Sequence, residues 1–256
     1  MSKKLETIKR ISRIFTGADK SPVCAAVVLA AGSSVRMGND KILAKLGEIP
    51  VLARTLRPFQ ECDLICEIVV VTSAEKLNDV TELCREYGIG KVSKVVTGGK
   101  TRAESALTGV SEISSDASLI AIHDGARPLV TEALIRRTVE AAAKKNAAVP
   151  AIRSTDTLKT AAEDGTIIGT VDRETTWRIQ TPQVFKAELI KGALTKAMKQ
   201  GLPLTDDSSA MEVLGIPTYL IEGDEENIKL TKPLDLLLAT AILHDRRERN
   251  ENRTGI

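Results

Sequence analysis

Hydrophobic and polar positions alternate in blocks along this chain. Strand-like segments stand at Val23–Leu29, Glu67–Thr72, Lys91–Val96, Ser118–Ile122, Ala147–Ile152 and Pro217–Ile221. Runs such as IVVV and SLIAI have no polar side, as expected of strands covered on both faces. Between them lie stretches with helical periodicity: Val51–Gln60, Ala74–Tyr87, Arg102–Ile113, Thr131–Lys144, Lys186–Lys199, Asp207–Leu214 and Pro233–Leu243. The alternation predicts an α/β fold of three layers around a mostly parallel sheet. In such sheets ligands bind beyond the carboxyl ends of the strands, where the loops after Leu29, Val96 and Ile122 lie.

One segment breaks the rhythm. Asp156–Ala161 and Ile167–Asp172 read as strands around Glu163-Asp164-Gly165-Thr166, and Asp-Gly between strand-like runs marks a hairpin. Spanning about 153–176, it reads as an arm projecting from a main domain of residues 23–243. Its unpaired edges call for a partner, which predicts a homodimer. Residues 1–22 form a basic extension with Leu5, Ile8, Ile11 and Phe15 on one helical face. It reads either as a surface amphipathic helix or as a partly ordered extension. Residues 244–256 are mostly charged and read as a solvated tail.

Composition narrows the function classes. With 256 residues and 43% hydrophobic content, a sizeable core is available. Aromatics make up only 2%, too few for base-stacking platforms, and a net charge of +2 does not suit a surface that coats nucleic acid. Cys24, Cys62, Cys66 and Cys84 lack paired metal-ligand spacing, so no metal site is expected and the thiols read as buried. No apolar run approaches the ~20 residues of a membrane span, and the start of the chain lacks a signal-peptide core. The expectation is a cytoplasmic protein without membrane or nucleic-acid partners.

The chemistry gathers at the predicted strand ends. Ala30-Ala31-Gly32-Ser33-Ser34-Val35-Arg36-Met37-Gly38 follows the first strand, with Lys41 just beyond. Backbone amides of a small-residue loop beside two cations suit a nucleoside triphosphate, although an ordinary strand-to-helix turn reads the same way in isolation. Ser34 stands where a dinucleotide fingerprint needs glycine, and Lys94 where a P-loop does. Gly98-Gly99-Lys100-Thr101-Arg102-Ala103-Glu104-Ser105 enters a helix, offering contacts to a base, a capping box of Thr101 and Glu104, or both. His123-Asp124-Gly125-Ala126-Arg127-Pro128 ends a strand, where Asp124 is placed to bind ribose hydroxyls or a cation. Arg127 is placed either to hold Asp124 or to meet phosphate. Thr157 and Arg173 on the arm read as a solvated face or a phosphate clamp, and Trp177 as packing for the arm's base. Thr181-Pro182-Gln183, Thr205-Asp206-Asp207 with Thr205 as helix N-cap, and Asn227-Ile228-Lys229 complete the set, with Lys229 in reach of the active edge.

Taken together, the ordered motifs AAGxxxRM–K, GGxxRxxS, HDxARP, VDR, TPQ, TDD and NIK resemble the methylerythritol-phosphate cytidylyltransferases of the non-mevalonate isoprenoid pathway. The resemblance runs from about Val23 to Leu243. It implies a Rossmann-like nucleotidyltransferase fold that dimerises through interlocked hairpin arms. It implies transfer of CMP from CTP to methylerythritol phosphate, with Mg²⁺ bound mainly through the triphosphate. By the same resemblance, Arg36, Lys41 and Lys229 are catalytic. Ala30, Ala31, Gly32 and Ser33 line the triphosphate; Gly99 and Ser105 read cytosine; Asp124 holds ribose; Arg102 and Arg127 join the nucleotide site. Thr157 and Arg173 from the partner's arm, with Thr181 and Thr205, bind the acceptor. Two features depart from the pattern. Asn39-Asp40-Lys41 is shorter than the usual loop and is similar to that of molybdenum-cofactor guanylyltransferases, and Lys100 replaces a frequent acidic residue. A ribitol-phosphate cytidylyltransferase shares most of the motifs, and a non-catalytic nucleotide-binding regulator is the alternative outside enzymes.

Overall fold

The structure is a computed structural model that describes residues 23–32, 41–114 and 116–254. The basic extension, the loop holding Ser33 and Arg36, and the last two residues lie outside the described residues. Among the described residues, twelve strands and seven α-helices follow in chain order: β1 (Cys24–Leu29), β2 (Lys45–Leu46), β3 (Ile49–Pro50), α1 (Val51–Glu61), β4 (Ile65–Thr72), α2 (Leu77–Glu86), β5 (Val92–Thr97), α3 (Arg102–Glu112), β6 (Leu119–Asp124), α4 (Glu132–Lys145), β7 (Ala147–Arg153), β8 (Lys159–Ala161), β9 (Ile167–Thr170), β10 (Trp177–Ile179), β11 (Gln183–Lys186), α5 (Ala187–Lys199), α6 (Asp207–Val213), β12 (Tyr219–Glu222) and α7 (Pro233–Thr254).

The main sheet runs β10-β7-β11-β6-β1-β4-β5, with β12 also paired to β7. The β5, β4, β1 and β6 neighbours are parallel, as are β7 and β12. β11 runs antiparallel between β6 and β7, and β10 antiparallel on β7. The mostly parallel three-layer sheet read from the sequence is therefore present. β11 was not expected. It is four residues long with only Val184 and Phe185 apolar, both fully buried, too short to show a period.

Alternate strand residues feed two cores. Ala26, Val28, Ile68, Val70 and Ala121 face α1, α4 and α7, where Leu56, Phe59, Leu134 and Ala239 lie buried. Val27, Val69, Val71, Ile120 and Ile122 face α3, α5 and α6, with Val110, Leu194 and Met211. This is the period-two consequence of the pleat. Gly109 lets α3 lie directly on the sheet: a Cβ there would stand 2.3 Å from Val27 Cγ1 and 2.7 Å from Val71 Cγ2. The close approach sets the N-terminal turn of α3 over the ends of β1 and β4.

The hairpin forms its own two-stranded sheet of β8 and β9, shorter than the sequence expectation, with Gly165 at a φ of 84° in the turn. Asp172 and Arg173 leave the strand and enter a 3₁₀ turn that Asp172 caps by accepting from the Glu174 amide. At its base the Arg153 guanidinium stacks 4.5 Å from the Trp177 ring, so Trp177 packs where the sequence placed it. The charged C-terminal stretch is largely exposed, as expected, but it is helical. Residues 244–254 continue α7, supported by i,i+4 pairs such as Arg247–Glu251 at 2.8 Å and Arg249–Asp245 at 3.0 Å. Arg246 ties this helix back to the domain by donating to the Leu129 carbonyl at 3.0 Å. Of the cysteines, Cys24, Cys62 and Cys84 are buried, but Cys66 is exposed on β4. Among the described residues no helix is long and apolar enough to cross a membrane.

Candidate active site

A cavity of about 410 Å³ opens at the carboxyl ends of β1 and β6. Ala31, Gly32, Lys41, Gly99, Lys100, Arg102, Ser105, Asp124 and Lys229 line it, bringing together motifs spread over two hundred residues of sequence. Ala30 stands just behind the wall. Its amide donates to the Val71 carbonyl at 2.6 Å, so it anchors the loop rather than facing the cavity.

The entry to α3 forms the second wall. Thr101 Oγ1 accepts from the Glu104 amide at 3.1 Å and the Glu104 carboxylate turns back on the amides of Lys100 and Thr101, the capping box that the sequence showed. Gly99 is required here because a Cβ would meet Glu104 Cβ at 2.3 Å. The Ser105 hydroxyl donates to the Thr101 carbonyl at 3.0 Å, which holds its oxygen at the cavity wall.

Asp124 is the electrostatic centre. Lys229 Nζ lies 2.9 Å from Oδ2, Arg102 Nη2 3.4 Å from Oδ1 and Arg127 Nε 3.6 Å from Oδ2. Burial alone would raise the Asp124 carboxyl, but Arg102, Lys229 and Arg127 outweigh it and hold it well below the usual carboxylate range. Arg127 is buried, and its Nη1 donates to the Asn227 carbonyl at 2.6 Å. Of the two roles the sequence left open, the geometry gives it that of a brace under Asp124. Asn227 Nδ2 in turn donates to the Thr181 carbonyl at 2.9 Å, so the segments carrying Asp124, Thr181 and Lys229 are laced together.

Beneath Asp124 the hydrogen bonds also fix a tautomer. Thr181 Oγ1 accepts from the Asp124 amide at 3.0 Å and lies 2.9 Å from His123 Nδ1. The hydroxyl proton therefore points to Nδ1, and Nε2–H faces the Arg127 carbonyl at 3.4 Å. Complete burial pushes the His123 imidazole down to about 3, so it is neutral at pH 7. Thr181 is itself buried, a support for Asp124 in this chain.

Two aspartates that the sequence reading placed only at a helix start have separate tasks. The N-cap of α6 is Asp206, not Thr205: its carboxylate accepts from the Ser209 amide at 3.0 Å. Thr205 pairs with Ser209 Oγ at 2.9 Å, away from the cavity. Asp207, fully buried, takes the Arg102 fork at 2.8 and 2.7 Å. Burial pushes the Asp207 carboxyl up and Arg102 opposes it; the bidentate geometry is that of two ionised groups. Thr157 and Arg173 do not line the cavity; both are exposed on or beside the arm.

The donor set bears on metal binding. Asp124 is the only carboxylate lining the cavity among the described residues, and three cations surround it. That is a poor cage for a divalent ion but fits Mg²⁺ carried by phosphate oxygens. Elsewhere Cys62, Asp63 and Glu132 bring ligand atoms together, but Arg136 already pairs with both carboxylates at 2.6 and 2.8 Å.

The family profile for IspD, 2-C-methyl-D-erythritol 4-phosphate cytidylyltransferase, matches residues 24–245. The chain belongs to this family. A 2-C-methyl-D-erythritol 4-phosphate cytidylyltransferase of Halalkalibacterium halodurans is 42% identical over 227 residues, covering 88% of this chain and 99% of the relative. One from Caldanaerobacter subterraneus is also 42% identical, over 86% of this chain and 98% of the relative. Among solved structures, a 4-diphosphocytidyl-2C-methyl-D-erythritol synthase from Anaerococcus prevotii superposes with a TM-score of 0.77 at 28% identity, over 88% of this chain and all of that one. As a cytidylyltransferase-family domain, the chain carries its cavity on the AAG, GGKTR, HDGAR and NIK motifs.

Proposed function

We infer that this protein transfers CMP from CTP to 2-C-methyl-D-erythritol 4-phosphate, releasing pyrophosphate, in the methylerythritol-phosphate route to isoprenoid precursors. The observation that supports this most is the cation-lined cavity at the β1 and β6 ends, with Asp124 at its floor, in a chain of this family. The acceptor's phosphate oxygen bonds to the α-phosphorus while the bond from that phosphorus to the bridging oxygen breaks. Two polyanions must meet in line, so charge stabilisation is the main catalytic need. A phosphate monoester is already ionised at neutral pH and needs no strong base, which agrees with a neutral, buried His123.

Lys41 and Arg36 would stabilise the charge developing on the α-phosphate, with the Ala31-Gly32-Ser33 turn along the triphosphate. Gly99 and Ser105 would meet the base and Asp124 the ribose hydroxyls. Mg²⁺ bound to the triphosphate would neutralise its charge and polarise the phosphorus. Lys229, locked to Asp124, would face the acceptor side of the cavity. Thr157 and Arg173 would reach the acceptor from a second protomer, which makes the homodimer part of the reading. Such an enzyme would work in the cytoplasm. A Lys41→Met variant tests the assignment: turnover with CTP falls by orders of magnitude while CTP still binds. Equal losses of turnover and binding would return Lys41 to simple ligand attraction.

A further inference from the structure

Asp207 has no local task. Asp206 already caps α6, and both Asp207 oxygens go to one partner, Arg102, 105 residues away in sequence. A buried carboxylate without such a partner would be strongly unfavourable, so the pair is a built feature. Arg102 lines the cavity and stands between two carboxylates. Its fork lies at 2.7 and 2.8 Å from Asp207 and at a long 3.4 Å from Asp124. A guanidinium released from Asp207 has a second carboxylate within reach and the geometry to clamp it bidentately.

We propose that Asp207 is a positioning residue that draws the Arg102 guanidinium back to a long 3.4 Å contact with Asp124 Oδ1, so that this oxygen is not tightly clamped and still meets the hydroxyls of a bound ribose. The contact chain is continuous. Gln183 on β11 donates to Asp206 Oδ2 at 2.8 Å and accepts from the Ser208 amide at 2.8 Å, fixing the turn that carries Asp207. This inference rests on the reading of the cavity as a CTP site.

The test compares CTP, 2′-deoxy-CTP and 3′-deoxy-CTP as substrates for the full-length wild type, Asp207→Asn and the double variant Asp207→Asn/Arg102→Met. The wild type should prefer CTP over at least one deoxy analogue. Asp207→Asn should narrow that preference at least five-fold, mainly through the KM for nucleotide, with the acceptor KM within two-fold. The double variant, with no guanidinium to swing onto Asp124, should discriminate more strongly than Asp207→Asn whatever its absolute turnover, and keeps the test valid if the single variant folds poorly. A wild type that neither turns over CTP nor discriminates overturns the CTP reading itself. A discriminating wild type with equal discrimination in Asp207→Asn, or none in the double variant, overturns the positioning role alone.

Discussion

Lys229 and Asp124, the last residue of β6, meet at 2.9 Å although they lie 105 residues apart in sequence. Asn227 and Arg127 hold the two segments together beneath that contact. The ion pair is half exposed on the lysine side and buried on the aspartate side, so it is screened less than a surface pair. Lys229, like Arg102, both helps keep Asp124 ionised and lines the cavity.

The first consequence is acid tolerance. The folded-state value of Asp124 is depressed, so its contribution is present above the unfolded carboxylate range near 4 and is lost only as pH falls through the lower folded value. Lys229→Met removes one of the three cations and moves the Asp124 titration upward toward the ordinary range. The acid limb of the pH profile for nucleotide binding should shift to higher pH in that variant. An unchanged limb would mean that Arg102 and Arg127 suffice.

His123 gives a second pH signature, in stability. Its folded value, about 3, lies below the ordinary 6.5, so below pH 6.5 the unfolded chain binds a proton that the folded one refuses. Stability then falls with decreasing pH by up to about 1.4 kcal/mol per pH unit in that window. Denaturant titrations between pH 7.5 and 5.5 should show this slope in the wild type and a flatter one in His123→Gln. Equal slopes would place the titration elsewhere.

The α3 contact with the sheet is tested at Gly109. Alanine there gains about 1 kcal/mol of helix propensity but drives a methyl into Val27 and Val71, two buried, rotamer-restricted side chains. Overpacking of this kind costs about 1–3 kcal/mol, so Gly109→Ala should be net destabilising and should raise the nucleotide KM by displacing the Gly99–Ser105 turn. A stabilised variant with unchanged KM would show that α3 has room to shift.

The arm should carry the dimer. Ile167 and Ile168 are 62% and 70% exposed on β9, an unusual outward apolar pair on a two-stranded ribbon. Glutamate at both positions should yield a monomer in light scattering, with acceptor KM raised well above that of the wild type. A wild type that is itself monomeric at micromolar concentration would remove Thr157 and Arg173 from the site.

Much of this site was legible in the sequence because short motifs fall at strand ends, and strand ends are where such sheets bind ligands. The capping box at Thr101 and the hairpin at Gly165 were readable from local chemistry alone. What escaped was tertiary. β11 is a short strand inserted between two others, and nothing in QVFK announces its neighbours. The tail beyond His244 is solvated as read, but its helicity was missed because its charges were read singly, whereas their i,i+4 spacing supports the last turns of α7. Asp207 was seen only as the second aspartate after a cap. Its partner Arg102 lies in another motif, and only the tertiary fold, in which α5 packs on both α3 and α6, brings them together.

The most direct test measures pyrophosphate release with Mg²⁺ and each of CTP, GTP, ATP and UTP, against methylerythritol phosphate and ribitol phosphate in turn. The expected result is turnover with CTP and methylerythritol phosphate alone. Preference for ribitol phosphate would contradict the acceptor assignment, and silence with every pair would contradict catalysis itself.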